Sequence, residues 1–258
     1  MSSSPASANP SSLPTPQTDW ALFLDFDGTL VEIAEHPDAI VVPPELPRLL
    51  RSLTDALKGA VAVVSGRSLE GLDRFLDGAL PALAGVHGLE RRDGQGMVYQ
   101  PIDRTDDFTQ ARQALTAFID QHPGTYLEDK GNALTLHYRG APASAPAAQA
   151  LLAEQSAALG DEFFVQPGKQ LFELKPTSAH KGHVVATFMQ EPPFAGRTPV
   201  FLGDDVTDED AFATVNTLGG HAIRVGARQA SAATYHIDNV NEALQWLTRL
   251  ATTLQPAH

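Results

Sequence analysis

Short, wholly apolar runs separated by stretches of helical period constrain this chain more than any other feature. The runs are "WALFLDF" (20–26), "AVAVVS" (60–65), "ALAGVHG" (82–88), "PVFLGD" (199–204) and "AIRV" (222–225). A strand that is apolar at every position must be buried on both faces, which is the situation inside a parallel sheet covered by helices. The intervening stretches supply those helices. Leu46, Leu49, Leu50, Leu53 and Leu57 recur at helical spacing and stop at Gly59. Ser68 can cap a helix carrying Leu69, Leu72, Phe75 and Leu76. Further helices are expected from about 180, from Asp208 and over 239–251. Strands alternating with helices predict an α/β fold with a doubly wound, Rossmann-like parallel sheet.

The rhythm changes once. A helix marked by Phe108, Ala111, Leu115, Phe118 and Ile119 is followed by two period-2 runs, 125–130 and 133–139, joined around Gly131-Asn132. A helix over 141–160 comes next, then a second hairpin, "FFVQ" and "LFEL", expected to turn at Pro167-Gly168. This is an α+β module. The expected organisation is a core made of 20–103 and 178–258, interrupted by an inserted α+β domain over 104–177. Residues 1–19 are mostly Ser, Pro, Ala and Thr and are expected to form a disordered tail.

Ligands of open α/β sheets bind at the carboxyl ends of the strands. Three strands end there in polar residues: Asp25 on the first, Ser65 on the second, Asp204 with Asp205 on a later one. Carboxylates crowded at a buried rim repel one another and are costly to desolvate. With no cysteine in the chain and no histidine beside them, they suit a hard, oxygen-liking cation, Mg²⁺ before Ca²⁺. Each motif alone has an ordinary reading. The Asp-Gly pair makes a turn after a strand, Ser-Gly begins many turns, Lys181 is a solvated lysine, and Thr207 with Asp210 is a capping-box pattern.

Together, "DFDGTL" (25–30), "VVSGR" (63–67), Lys181 opening a helix and "GDDVTDED" (203–210) resemble the ordered motifs of haloacid-dehalogenase-type phosphatases. The insert resembles their C2-type caps. "GVHGLE" (85–90), "LEDKGNALTLHYR" (127–139), "FELKP" (172–176) and "KG" (181–182) are similar to trehalose-6-phosphate phosphatases, and the resemblance covers about 20 to 250. It implies Mg²⁺-dependent hydrolysis of trehalose 6-phosphate through an aspartyl-phosphate. Asp25 is then the nucleophile and Asp27 the general acid and base. Ser65 and Lys181 hold the phosphoryl oxygens. Asp25, Asp204 and the Asp27 carbonyl ligate the metal, with Asp205 and Asp208 behind them. Glu128, Lys130 and Glu173 read the distal glucose, and Arg67, His87 and Glu90 lie at the cleft. A sucrose-phosphate or mannosyl-phosphate phosphatase, or an inactive sugar-phosphate sensor, is the alternative.

The net charge of −13 opposes nucleic-acid and anionic-membrane partners. The start of the chain has neither a basic region nor an apolar stretch of signal type, no later run approaches a membrane span, and no fused glycosyltransferase is expected. A monomeric, cytoplasmic enzyme is expected.

Overall fold

The computed structural model describes residues 13–34, 39–99, 108–131, 133–161, 163–177 and 180–255. Its first segment runs β1 (Trp20–Leu24), α1 (Leu46–Ala56), β2 (Val61–Val64), α2 (Leu69–Leu76), β3 (Ala82–Gly85), β4 (Glu90–Arg92) and β5 (Val98–Tyr99). Next come α3 (Thr109–Gln121), β6 (Tyr126–Asp129), β7 (Leu134–His137), α4 (Ala145–Leu159), β8 (Phe163–Gly168) and β9 (Leu171–Pro176). The last segment is α5 (Lys181–Phe188), β10 (Thr198–Gly203), α6 (Glu209–Thr217), β11 (His221–Val225), β12 (Tyr235–Ile237) and α7 (Val240–Leu254).

The larger sheet has the order β12-β11-β10-β1-β2-β3-β4-β5. From β12 to β3 every pairing is parallel; β4 and β5 add an antiparallel edge. Period-2 geometry explains the apolar run of β1. Trp20, Leu22 and Leu24 face the helices α1, α2 and α7, while Ala21 and Phe23 face α5 and α6. Both faces are dry, so the doubly wound core expected from the sequence is the one observed. Among the described residues no helix is long and apolar enough to cross a membrane.

The second sheet, β6-β7-β9-β8, is wholly antiparallel. One face is apolar: Leu134, Leu136, Phe172 and Leu174 pack with Phe108, Leu115 and Leu152 of the covering helical side. The alternate positions, Thr135, Glu173 and Lys175, face the other way and are nonetheless buried.

Several local expectations change. The β8–β9 hairpin does not turn at Pro167-Gly168, because both residues pair within the ladder, opposite Phe172 and Leu171. β8 is an edge strand, where a proline costs no ladder hydrogen bond, and the turn moves to Lys169-Gln170, with Gln170 left-handed at φ 63°. The capping box forms from Asp205 and Asp208, not from Thr207 and Asp210. Part of the expected tail is tied down: Leu13 packs against the core, and Arg197 Nη1 donates to Thr18 O and Trp20 O, each at 3.1 Å. Residues 1–12, Asn132 of the β6–β7 turn, and the expected junctions at 103/104 and after 177 lie on or beside residues outside the described set.

Candidate active site

The parallel strands β1 and β10 stop side by side, and Asp25 N donates to Leu202 O at 2.9 Å. Asp25 therefore leaves its strand next to Asp204. Lys181, the first residue of α5, reaches this rim from the helix. Its Nζ donates to Asp25 Oδ1 and to Asp208 Oδ1, both at 2.6 Å, and the lysine is only 2% exposed. The other oxygen of Asp208 accepts from Asp204 N at 2.9 Å and Asp205 N at 3.0 Å. Asp208 thus fixes both the lysine and the loop that carries Asp204. The exposed Asp205 turns its side chain to the capping box, which shapes the loop, and its charge adds to the push on Asp204.

This cluster is electrostatically unbalanced. Burial pushes the Asp25 carboxyl well above the usual range; Lys181 opposes that, and Asp208 and Asp204 reinforce it. Burial, then Asp208, push Asp204 up to about 7. Lys181 moves the opposite way: burial disfavours its charge, but Asp208 and Asp25 outweigh burial and raise it. One carboxylate oxygen from each of Asp25, Asp204 and Asp208 lies within 4.8 Å of the others, and Asp204 Oδ1 is buried without a hydrogen-bond partner. An orphaned anionic oxygen beside two further carboxylates fits a small divalent cation. The neighbouring backbone keeps the space clear. Gly28 has φ +84°, and a Cβ there would lie 2.1 Å from Asp204 Oδ2. Arg224, from β11, braces the same loop by donating to Asp204 O and Glu209 Oε1.

Arg67 and Asp27 are brought together. Arg67 Nε and Nη2 donate to the two Asp27 oxygens, both at 2.7 Å, in a bidentate pair. The guanidinium also lies over Phe75 and Phe26, 5.0 and 5.6 Å from their ring centres. Arg67, expected at the substrate, is engaged with Asp27 here. Ser65 sits at the end of β2, and its Oγ accepts from Arg67 N at 3.2 Å. Glu90 Oε2 accepts from Leu69 N at the start of α2, at 2.8 Å.

The polar face of the second sheet meets this rim through Glu173, which is 4% exposed. Its Oε1 accepts from Lys130 Nζ at 2.9 Å and Thr135 Oγ1 at 3.1 Å. Its Oε2 faces His87 Nε2 at 3.2 Å and Lys175 Nζ at 3.4 Å. Burial alone would raise Glu173, but the hydrogen bond from His87 and the charges of Lys130 and Lys175 hold it well below the ordinary carboxylate range. A surface pair between Glu128 and Lys130 is not what forms: Lys130 turns to Glu173, and Glu128 Oε2 pairs with His137 Nε2 at 3.0 Å. Thr135, His137, Lys175 and Arg224 escaped the sequence reading. The first three stand at the polar positions of "LTLH" and "FELK", so the alternation carried the signal.

The trehalose-phosphatase family model matches residues 23–241. The trehalose-6-phosphate phosphatase of Escherichia coli K12 is 44% identical over 239 residues, covering 92% of this chain and 88% of that one. A probable trehalose-phosphate phosphatase of Sinorhizobium fredii is 45% identical over 216 residues, 84% of this chain and 81% of that one. The C-terminal domain of the C. albicans trehalose-6-phosphate phosphatase superposes with a TM-score of 0.80 over 92% of this chain and 94% of that one, at 24% identity, and so speaks for the fold. A phosphatase rim, a second sheet set over it and relatives of this identity along nearly the whole chain lead to one conclusion: the chain belongs to the trehalose-phosphatase family and is a phosphoric monoester hydrolase.

Proposed function

We propose that the chain hydrolyses trehalose 6-phosphate to trehalose and phosphate in two steps through an aspartyl-phosphate on Asp25. The observation that carries the chemistry is Lys181, buried between Asp25 and Asp208 at the ends of two parallel strands. In the first step a carboxylate oxygen of Asp25 attacks phosphorus, and the bond from phosphorus to the sugar's 6-oxygen breaks. Asp27 gives a proton to that departing oxygen. In the second step Asp27 takes a proton from water, whose oxygen attacks the same phosphorus and releases the Asp25 carboxylate and phosphate. Ser65 donates a hydrogen bond to the phosphoryl group and Lys181 meets its charge. Asp25, Asp204 and the Asp27 carbonyl would hold Mg²⁺, with Asp208 behind them. When bound, the cation supplies the positive charge that keeps Asp25 ionised and offsets the charge of the phosphate.

In this reading the second sheet acts as a cap. Glu173, Lys130 and Glu128 offer acceptors and a donor for sugar hydroxyls, while Arg67 holds Asp27 in place at the entrance. The names of the relatives and the polar face turned toward the rim support trehalose as the leaving group. Phosphate release across trehalose 6-phosphate, sucrose 6-phosphate, a mannosyl phosphate and a small aryl phosphate tests it. The highest kcat/KM is expected on trehalose 6-phosphate; a higher value on either other sugar phosphate would overturn the substrate.

A further inference from the structure

His87 stands where the phosphate side of the site meets the sugar side. Its backbone N donates to Ser65 O at 2.9 Å, so the turn that carries it is tied to the end of β2. Its ring lies against Gly66 so closely that a Cβ there would fall 2.8 Å from Nε2. The same nitrogen meets Glu173 Oε2 at 3.2 Å. Backbone strain accompanies this placement. Val86 and His87 are both left-handed, at φ 48° and 55°, and a β-branched residue in that region is a true outlier. Strained turns persist where the surrounding structure over-determines them, and they cluster at functional sites.

The chemistry of the contact is specific. Burial pushes the imidazole down to about 4 against the pull of Glu173, and the nearby Lys175 and Lys181 also oppose its protonation. The ring is therefore neutral near pH 7, and the tautomer that satisfies the carboxylate carries its proton on Nε2. A neutral donor orients Glu173 without cancelling its charge. Lys130 and Thr135 bind the other oxygen, so the core's contribution is to fix which way the second oxygen points. His87 is thus anchored at one end to the Ser65 loop and at the other to Glu173.

Building on the proposed function, we infer that His87 is a positioning residue that sets the spacing between the phosphoryl site and the sugar-reading carboxylate. Discrimination for a disaccharide leaving group then runs through a core residue that acts on Glu173. The effect is read in the ratio of kcat/KM for trehalose 6-phosphate to that for p-nitrophenyl phosphate. His87→Ala, which has no donor, and His87→Asn, whose amide stops near the position of Nδ1, should lower this ratio about ten- to a hundredfold, the weight of one hydrogen bond to a charged group. His87→Gln places an N–H near the position of Nε2 and should recover most of it. Combined with Glu173→Gln, His87→Ala should add little, because both act through one contact. A merely structural turn would instead lower both substrates together, give no recovery with Gln, and add in full to Glu173→Gln. Any of those three results overturns the inference. The wild-type ratio is measured alongside: if it shows no preference for trehalose 6-phosphate, the substrate assignment has failed, whereas a wild-type preference unmoved in His87→Ala condemns this inference alone.

Discussion

Metal affinity at the Asp25–Asp204 rim should appear in folding stability, with a pH dependence set by the carboxyls themselves. In the metal-free protein Asp204 titrates at about 7, against 3.8 for the ordinary group, and Asp25 is also raised. Over that window the folded state keeps protons that the unfolded chain has released. Stability contributed by these groups therefore falls as pH rises from about 4 to about 7. At about 1.4 kcal/mol per unit, Asp204 alone accounts for on the order of 4 kcal/mol. A cation needs the carboxylates ionised, so stabilisation by saturating Mg²⁺ should grow by about 1.4 kcal/mol per pH unit for each proton displaced, including below about 7 where Asp204 is still protonated. His87 works with the opposite sign. Its folded value of about 4 lies below the usual 6.5, so its contribution rises with pH between those values. Raw stability curves mix the two slopes. The Mg²⁺-minus-EDTA difference at each pH cancels His87, which behaves alike in both. Urea unfolding from about pH 5 to about pH 8 measures it. A difference that stays flat from about 5 to about 7, or one that survives in Asp204→Asn, would refute the metal assignment.

Asp25→Asn should keep the fold and abolish turnover, and wild-type enzyme quenched during turnover should carry phosphate on Asp25 alone; labelling of any other residue would displace the nucleophile. Gly28→Ala should weaken Mg²⁺ binding about tenfold or more, because the new methyl displaces Asp204 and the backbone is left-handed there; isothermal titration reads it. Glu173→Gln and Glu173→Ala should both lower kcat/KM on trehalose 6-phosphate more than on an aryl phosphate. Both changes should also cost stability, by about 3–5 kcal/mol for the alanine in urea melts and less for the glutamine, since each leaves Lys130 and the buried Lys175 without their shared counter-charge but the amide keeps an acceptor oxygen. Melts as high as the wild type's in both variants would mean that the lysines find other partners.

The core was legible because its strands are apolar on both faces and its chemistry stands at their ends. Asp25, Ser65 and Asp204 could be placed on one rim before any coordinates existed. The strands that escaped, β4, β5 and β12, are two or three residues long and offer no period to read. Turn chemistry misled where an edge position neutralised it, as at Pro167. Two overlapping patterns four residues long, Asp205 to Asp208 and Thr207 to Asp210, satisfy the same capping rule. Only the place where β10 ends decides between them. Pairing was harder still. Sequence puts Glu173 and Lys175 on one face by alternation, but it cannot say that His87 arrives from another sheet to meet them.

The pairing also explains how a chain of net charge −13 can receive a phosphorylated sugar. At the cleft its cations are not left bare as an attracting field. Lys181, Lys130, Lys175 and Arg67 each rest against a carboxylate at the cleft. A cation buried alone would lose its charge, and a carboxylate buried alone would take up a proton. Held as pairs, each offsets part of its partner's burial, though Asp25 stays raised and Lys175 stays lowered. An incoming phosphate or sugar hydroxyl then meets charges already desolvated and oriented, and has only to share them. The carboxylates crowded at the end of β1 are one half of that arrangement; Lys181 is the other, and Asp204 Oδ1 marks where it is still one positive charge short.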